Sequence, residues 1–169
     1  MRNGPILSTL LLLCRLAVGA MIVYAAVLKL PKPATFHDSI KAYRLLPEHL
    51  EIVSAYAFPW LELIAGVCLI LGLWTRAAAT IAGSLLVGFI VAIASVMIRA
   101  EVDVPECGCF GDAGFKICTG PPGWCHIIQN AVLTAMCMLL LVRGGGKIAI
   151  DDLREPEGRR QPADLLGSD

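Results

Sequence analysis

The chain has 169 residues, of which 57% are hydrophobic and only 17% are charged. Soluble domains contain about 25% charged residues, so this chain has too few polar side chains to cover a soluble surface. Fourteen basic and fourteen acidic residues leave no net charge, which excludes the broad cationic surface of a nucleic-acid-binding protein. We therefore expect a chain embedded in a lipid bilayer, with no nucleic acid partner.

Four apolar segments approach or exceed the length of about 20 residues that a helix needs to cross a bilayer. They cover residues 6–28, 52–73, 77–98 and 127–142. Small residues recur through the first three segments and allow membrane helices to approach closely. The sequence predicts an all-α integral membrane protein, with residues 1–142 forming one four-helix bundle.

The connecting segments differ in character. Residues 29–51 form a polar connection with a predicted short interfacial helix over 43–47, and residues 74–76 form a tight turn. Residues 99–125 form a cysteine-rich loop, and the charged composition of 143–169 predicts a disordered tail. Basic residues are slightly more numerous on the side of the two termini. This predicts an inner-membrane protein with cytoplasmic termini, and it places the cysteine loop outside the cytoplasm.

Four of the seven cysteines fall at or beside this loop, namely Cys107, Cys109, Cys118 and Cys125. On an oxidising face clustered thiols become disulfides, and four cysteines allow three pairings that sequence cannot distinguish. Cys125 is the best candidate nucleophile, because it lies at the predicted start of the fourth helix, where the helix dipole favours a thiolate. Thiol–disulfide exchange, a permanent structural disulfide and a metal site remain open, although the spacing differs from that of common zinc motifs. We expect no resident metal.

Two charged residues lie inside the apolar segments. Arg15 and Glu62 are each roughly ten residues into their spans, which places both near the bilayer midplane at about 1.5 Å per residue. A lone charge at this depth is costly, so the sequence predicts an ion pair between them that fixes the helix register. The alternative is a polar contact for a bound quinone, or a proton path. Lys29, at the end of the first span, is predicted to extend to the interface as an anchor.

Taken together, these features resemble the MauE/DoxX family of redox-associated membrane proteins, and the MauE branch in particular. The resemblance runs from Leu12 to Leu141. The residues that carry it are Arg15, Gly19, Lys29, Phe36, Tyr43, Pro47, the run Pro59-Trp60-Leu61-Glu62, Gly66, Arg76, the motif CGCFG at 107–111, Trp124 and Asn130.

The resemblance implies a four-helix membrane protein that supports periplasmic thiol–disulfide redox, or maturation of a periplasmic redox enzyme of the methylamine dehydrogenase type. Quinone is then the candidate electron acceptor and cofactor. A periplasmic protein substrate or a thioredoxin-like protein is the candidate partner. Cys118 and Cys125 look like additions to the usual MauE pattern. The competing interpretation is a non-catalytic scaffold or transport component whose disulfides are only structural.

Overall fold

The computed structural model describes residues 5–99, 118 and 123–144. Five helices follow one another in this part of the chain: α1 (Pro5–Lys29), α2 (Pro33–Tyr43), α3 (Glu48–Leu71), α4 (Thr75–Arg99) and α5 (Trp124–Arg143). All but α2 are long and apolar enough to cross a membrane. The predicted all-α membrane bundle is therefore confirmed. Cys107, Cys109 and nearly all of the predicted tail lie outside the described residues.

Helix α3 begins four residues earlier than the predicted second span. Pro47 in an extended conformation precedes it, and Glu48 and Glu51 occupy its first turn, where carboxylates interact favourably with the helix dipole. The helix ends at Gly72, which takes the left-handed conformation (φ 70°) and donates its backbone N–H to the carbonyls of the last turn. Glycine adopts this conformation without a steric penalty, so α4 can begin three residues later.

The predicted short helix over 43–47 is wrong. The connection between the first two spans does contain a helix, but it lies earlier in the chain, at Pro33–Tyr43. Helix α2 begins at Pro33, in the first turn, where the missing N–H and fixed φ of proline suit a helix. It ends at Tyr43, and the following residue, Arg44, takes the left-handed conformation (φ 49°). Phe36 and Tyr43 are its buried residues, so α2 packs against the bundle with an aromatic face.

The four long helices alternate in direction. At one end of the bundle the Arg99 guanidinium donates to the carbonyl of Arg44, at 3.3 Å. At the other end a Cβ built on Gly144 would lie 3.8 Å from Nε of Arg76. We call the first of these the α2 end, because α1 ends there, α2 lies there and α5 begins there.

Helices α1 and α3 touch through two glycines. A Cβ on Gly19 would lie 3.0 Å from the carbonyl oxygen of Gly66, and a Cβ on Gly66 would lie 3.0 Å from that of Gly19. Each would also lie 2.7 Å from a side-chain carbon of the facing helix. Small residues permit such backbone contact in membranes, where lipid removes the usual hydrophobic drive to associate. This contact fixes the register of α1 against α3.

Candidate functional site

A disulfide joins Cys118 to Cys125 at the α2 end. Cys118–Cys125 is the bond present among the described cysteines. Cys125 is the second residue of α5, and so lies at a helix start, where the sequence predicted it. Its sulfur is bonded here, so neither Cys125 nor Cys118 is a free thiolate for a metal in this state. Cys107 and Cys109 are outside the described residues, and their predicted role stays a prediction.

Two buried polar residues follow the disulfide along α5. His126 is 6% exposed and Asn130 is 1% exposed. The side-chain amide of Asn130 donates to the carbonyl of His126 at 2.8 Å. Within the part of the chain that the structure describes, Nδ1 of His126 and Oδ1 of Asn130 accept or donate no hydrogen bond. Such atoms are rare in folded proteins and call for an explanation. Asn130 was among the residues that carry the family resemblance, but the sequence did not reveal this arrangement.

An ion pair between Lys29 and Glu62 lies inside the bundle. Nζ of Lys29 lies 2.7 Å from Oε1 and 2.9 Å from Oε2, and the two side chains are only 3% and 6% exposed. The ammonium also lies over two aromatic rings, 4.9 Å from the centroid of Phe36 and 4.6 Å from that of Phe89. Helices α1, α2, α3 and α4 each contribute one of these four side chains.

The sequence predicted an ion pair between Arg15 and Glu62. The structure instead pairs Glu62 with Lys29. Arg15 precedes Lys29 by fourteen positions in α1, which is about 21 Å along a helix. Because Gly19 faces Gly66, Glu62 lies one turn nearer the α2 end, level with the last turns of α1. Arg15 is itself buried, at 3% exposed. The predicted interfacial anchor at Lys29 is also wrong, because its ammonium is enclosed. The predicted cofactor-binding role of Arg15 and Glu62 stays a prediction.

A cavity of about 250 Å³ lies beside this ion pair, between α2, α3 and α4. Phe36 and Phe89 line it as well as contacting the Lys29 ammonium. Its other lining residues are Ser39, Ile40, Tyr43, Leu45, Leu46, Phe58, Ser84, Leu85, Gly88 and Ala92. The sequence did not reveal this cavity, since nothing in the pattern showed where α2 would pack. Gly88 is one of the small residues that recur in the third apolar segment.

Comparison with known proteins agrees with this architecture. The sequence model of the family described as methylamine utilisation protein MauE matches residues 7–143. Methylamine utilization protein MauE of Paracoccus denitrificans is 30% identical over 126 residues, which cover 75% of this chain and 65% of that protein. Methylamine utilization protein MauE of Paracoccus versutus is 33% identical over 121 residues, covering 72% and 62%.

The chain thus covers slightly less than two thirds of the length of these two relatives. No solved structure matches it significantly. The family match nevertheless extends from the first turn of α1 to the last residue of α5, and so includes the glycine contact, the ion pair and the disulfide. With four apolar helices in the matched region, this chain belongs to the MauE family of multi-pass membrane proteins.

Proposed function

We propose that this MauE-family protein supports thiol–disulfide redox on the extracytoplasmic side of the inner membrane, in the maturation of a periplasmic redox enzyme. Methylamine dehydrogenase is the candidate type of substrate, because both similar proteins are named for methylamine utilization. The observation that carries the proposal is the Cys118–Cys125 disulfide at the first turn of a membrane-crossing helix. Both termini are then cytoplasmic, and the α2 end faces the periplasm.

The chemistry is an exchange of one disulfide for another. A thiolate of the periplasmic partner attacks one sulfur of the Cys118–Cys125 bond, which breaks and leaves a mixed disulfide and one free thiolate. The second thiol of the partner then attacks the mixed disulfide, so the partner becomes oxidised and both cysteines are reduced. The dipole at the start of α5 stabilises Cys125 as the leaving thiolate.

Reoxidation of the two thiols releases two electrons and two protons. We propose that a membrane quinone takes up both and leaves as quinol, which closes the cycle with balanced atoms and electrons. Cys107 and Cys109 are the candidates for a first exchange with the partner; once reduced, their thiols then take the partner's place in the exchange with the Cys118–Cys125 disulfide. Their acidic sequence neighbours disfavour a thiolate, so Cys125 at the start of α5 is better placed than either of them to form one.

A second candidate function is a scaffold or transport component in which the disulfide is only structural. It is favoured by the sequence separation of seven residues, because so short a loop also suits a permanent brace on the start of α5. A structural bond of this kind does not change its redox state when the electron acceptor is varied. The state of the cysteines therefore separates the two functions.

The test is cysteine mapping in native membranes with and without added oxidised quinone. Free thiols are alkylated, disulfides are reduced and labelled with a second reagent, and the peptides are identified by mass spectrometry. We expect Cys118 and Cys125 to shift between thiol and disulfide as quinone is varied, with Cys118→Ser and Cys125→Ser abolishing the shift. Cys137→Ser is the matched control, because Cys137 is a free buried cysteine of the same helix. A fixed disulfide under all conditions would favour the scaffold.

A further inference from the structure

Gly88 adds space to the cavity between α2, α3 and α4. A Cβ on this glycine would meet nothing within 4 Å, whereas the Cβ positions of Gly19 and Gly66 are blocked by the facing helix. Gly88 therefore does not serve helix contact in the way that those two glycines do. The missing side chain leaves room in the cavity that it lines.

The walls of the cavity are held in place. The rings of Phe36 and Phe89 contact the Lys29 ammonium on the side of the ion pair, and Glu62 fixes that ammonium with two hydrogen bonds. A charge held between two rings stabilises their positions. The aromatic walls are thus preorganised, which lowers the ordering cost of binding.

The chemistry of the lining favours hydrocarbon. Both serine hydroxyls of the cavity donate to backbone carbonyls of their own helices, Ser39 to Thr35 at 3.1 Å and Ser84 to Ile81 at 2.8 Å. The remaining lining is apolar apart from Tyr43. A ligand carbonyl or charge placed here would lose its hydration without a matching gain in hydrogen bonds. The volume of 250 Å³ is also below the 300 Å³ or so at which pockets begin to hold a whole drug-sized ligand.

The cavity lies at lipid depth. Gly88 is eleven residues from the end of α4 at Arg99, which is about 16 Å along a helix and matches half of a hydrocarbon core about 30 Å thick. Two residues that flank it on α4, Val87 and Val91, are 45% and 58% exposed. Leu45 and Leu46, which line the cavity, are also exposed. The surface around the cavity therefore faces lipid, and lipid hydrocarbon is what can enter the cavity from the bilayer.

We propose that one hydrocarbon chain of a membrane phospholipid occupies this cavity. The chain enters sideways from the bilayer and packs against the rings of Phe36 and Phe89, in the space left by Gly88. This binding site is independent of the thiol chemistry proposed above and would exist in a scaffold as well.

The test uses the full chain in phospholipid nanodiscs that contain a phospholipid with a photoreactive diazirine on one acyl chain. After irradiation, the crosslinked residues are mapped by mass spectrometry. We expect labelling of Phe36 and of other cavity residues of α2, with loss of this labelling in Gly88→Leu, whose side chain fills the space. Val87→Leu is the matched control, because it adds bulk on the adjacent exposed face of α4 and leaves the cavity open.

Gly88→Ala fills the cavity only partly and should reduce the labelling to an intermediate degree, which keeps the test available if Gly88→Leu does not fold. A second arm replaces the lipid probe with a photoreactive quinone. Cavity labelling by the lipid that the quinone does not displace supports the proposal. Absence of lipid labelling on α2, labelling that survives both Gly88 variants, or labelling by the quinone in place of the lipid would each overturn it.

Discussion

Removing Lys29 should destabilise the bundle far more than removing the whole ion pair. In Lys29→Met the carboxylate of Glu62 stays buried and loses hydrogen bonds of 2.7 and 2.9 Å. Breaking a buried pair in this way costs about 3 kcal/mol or more. In the double variant Lys29→Met/Glu62→Leu no uncompensated charge remains, and apolar replacements of buried pairs are often neutral. We expect its free energy of unfolding to lie within about 1 kcal/mol of the wild type.

The measurement is a double-mutant cycle on protein in mixed micelles, with unfolding by a denaturing detergent followed by tryptophan fluorescence. The matched control is the cycle between Arg15→Met and Glu62→Leu. Because Gly19 faces Gly66 in an antiparallel helix, Arg15 and Glu62 are offset by about eight residues, or about 12 Å along the bundle, and distant sites are additive within about 0.5 kcal/mol. Two additive cycles would refute the Lys29 pairing, and coupling only in the Arg15 cycle would restore the original sequence prediction.

The same double variant separates structure from function at Glu62. If the protein with Lys29→Met/Glu62→Leu folds as the wild type and still oxidises thiols, the pair serves only to position the helices. If it folds but no longer responds to quinone, the predicted cofactor-binding or proton-path role of Glu62 gains direct support. Both outcomes are read from the cysteine mapping described above, so no additional assay is needed.

Three further changes have defined outcomes. Gly19→Val should destabilise the bundle by about 1–3 kcal/mol through overpacking, because its Cβ would lie 3.0 Å from a backbone oxygen of α3. In the same unfolding assay, Gly88→Ala should not be destabilising, because a Cβ there would meet nothing within 4 Å. Phe89→Leu should lower the free energy of unfolding by about 0.5–2 kcal/mol beyond the loss of packing, and this extra loss should vanish in a Lys29→Met background. Cys118→Ser should make Cys125 reactive to alkylation without prior reduction, and an unreactive Cys125 would contradict the disulfide.

The bundle could be predicted from sequence because it depends on apolar length, which each segment carries by itself. The pairing of Glu62 could not, because it depends on the relative height of two helices. Depth counted from the ends of the apolar segments placed Arg15 opposite Glu62. The contact between Gly19 and Gly66 shifts α1 so that Lys29 arrives there instead. Both glycines were noted in the sequence, but small residues are common in membrane helices, and a sequence does not show which residue of another helix each one contacts.

The site shows the same division. The place of Cys125 at a helix start was predictable from where the fourth apolar segment begins, whereas its bond to Cys118 could be identified only from the structure. The cavity required them too, because it arises from three helices and from the position of α2, which the sequence had misplaced. Short polar connections carry little periodicity, so a helix of eleven residues within one is easily assigned to the wrong end.

The ring of Phe89 contributes to three separate parts of the structure. It lies under the Lys29 ammonium, and it lines the cavity. It also packs against the buried Ile93, which Ile127 of α5 contacts as well. Ile127 lies two residues after Cys125. A single change of the Phe89 side-chain rotamer therefore alters the surroundings of a charge, the shape of a cavity and the packing beneath a disulfide together. One torsion angle is common to regions that the chain separates by up to a hundred residues.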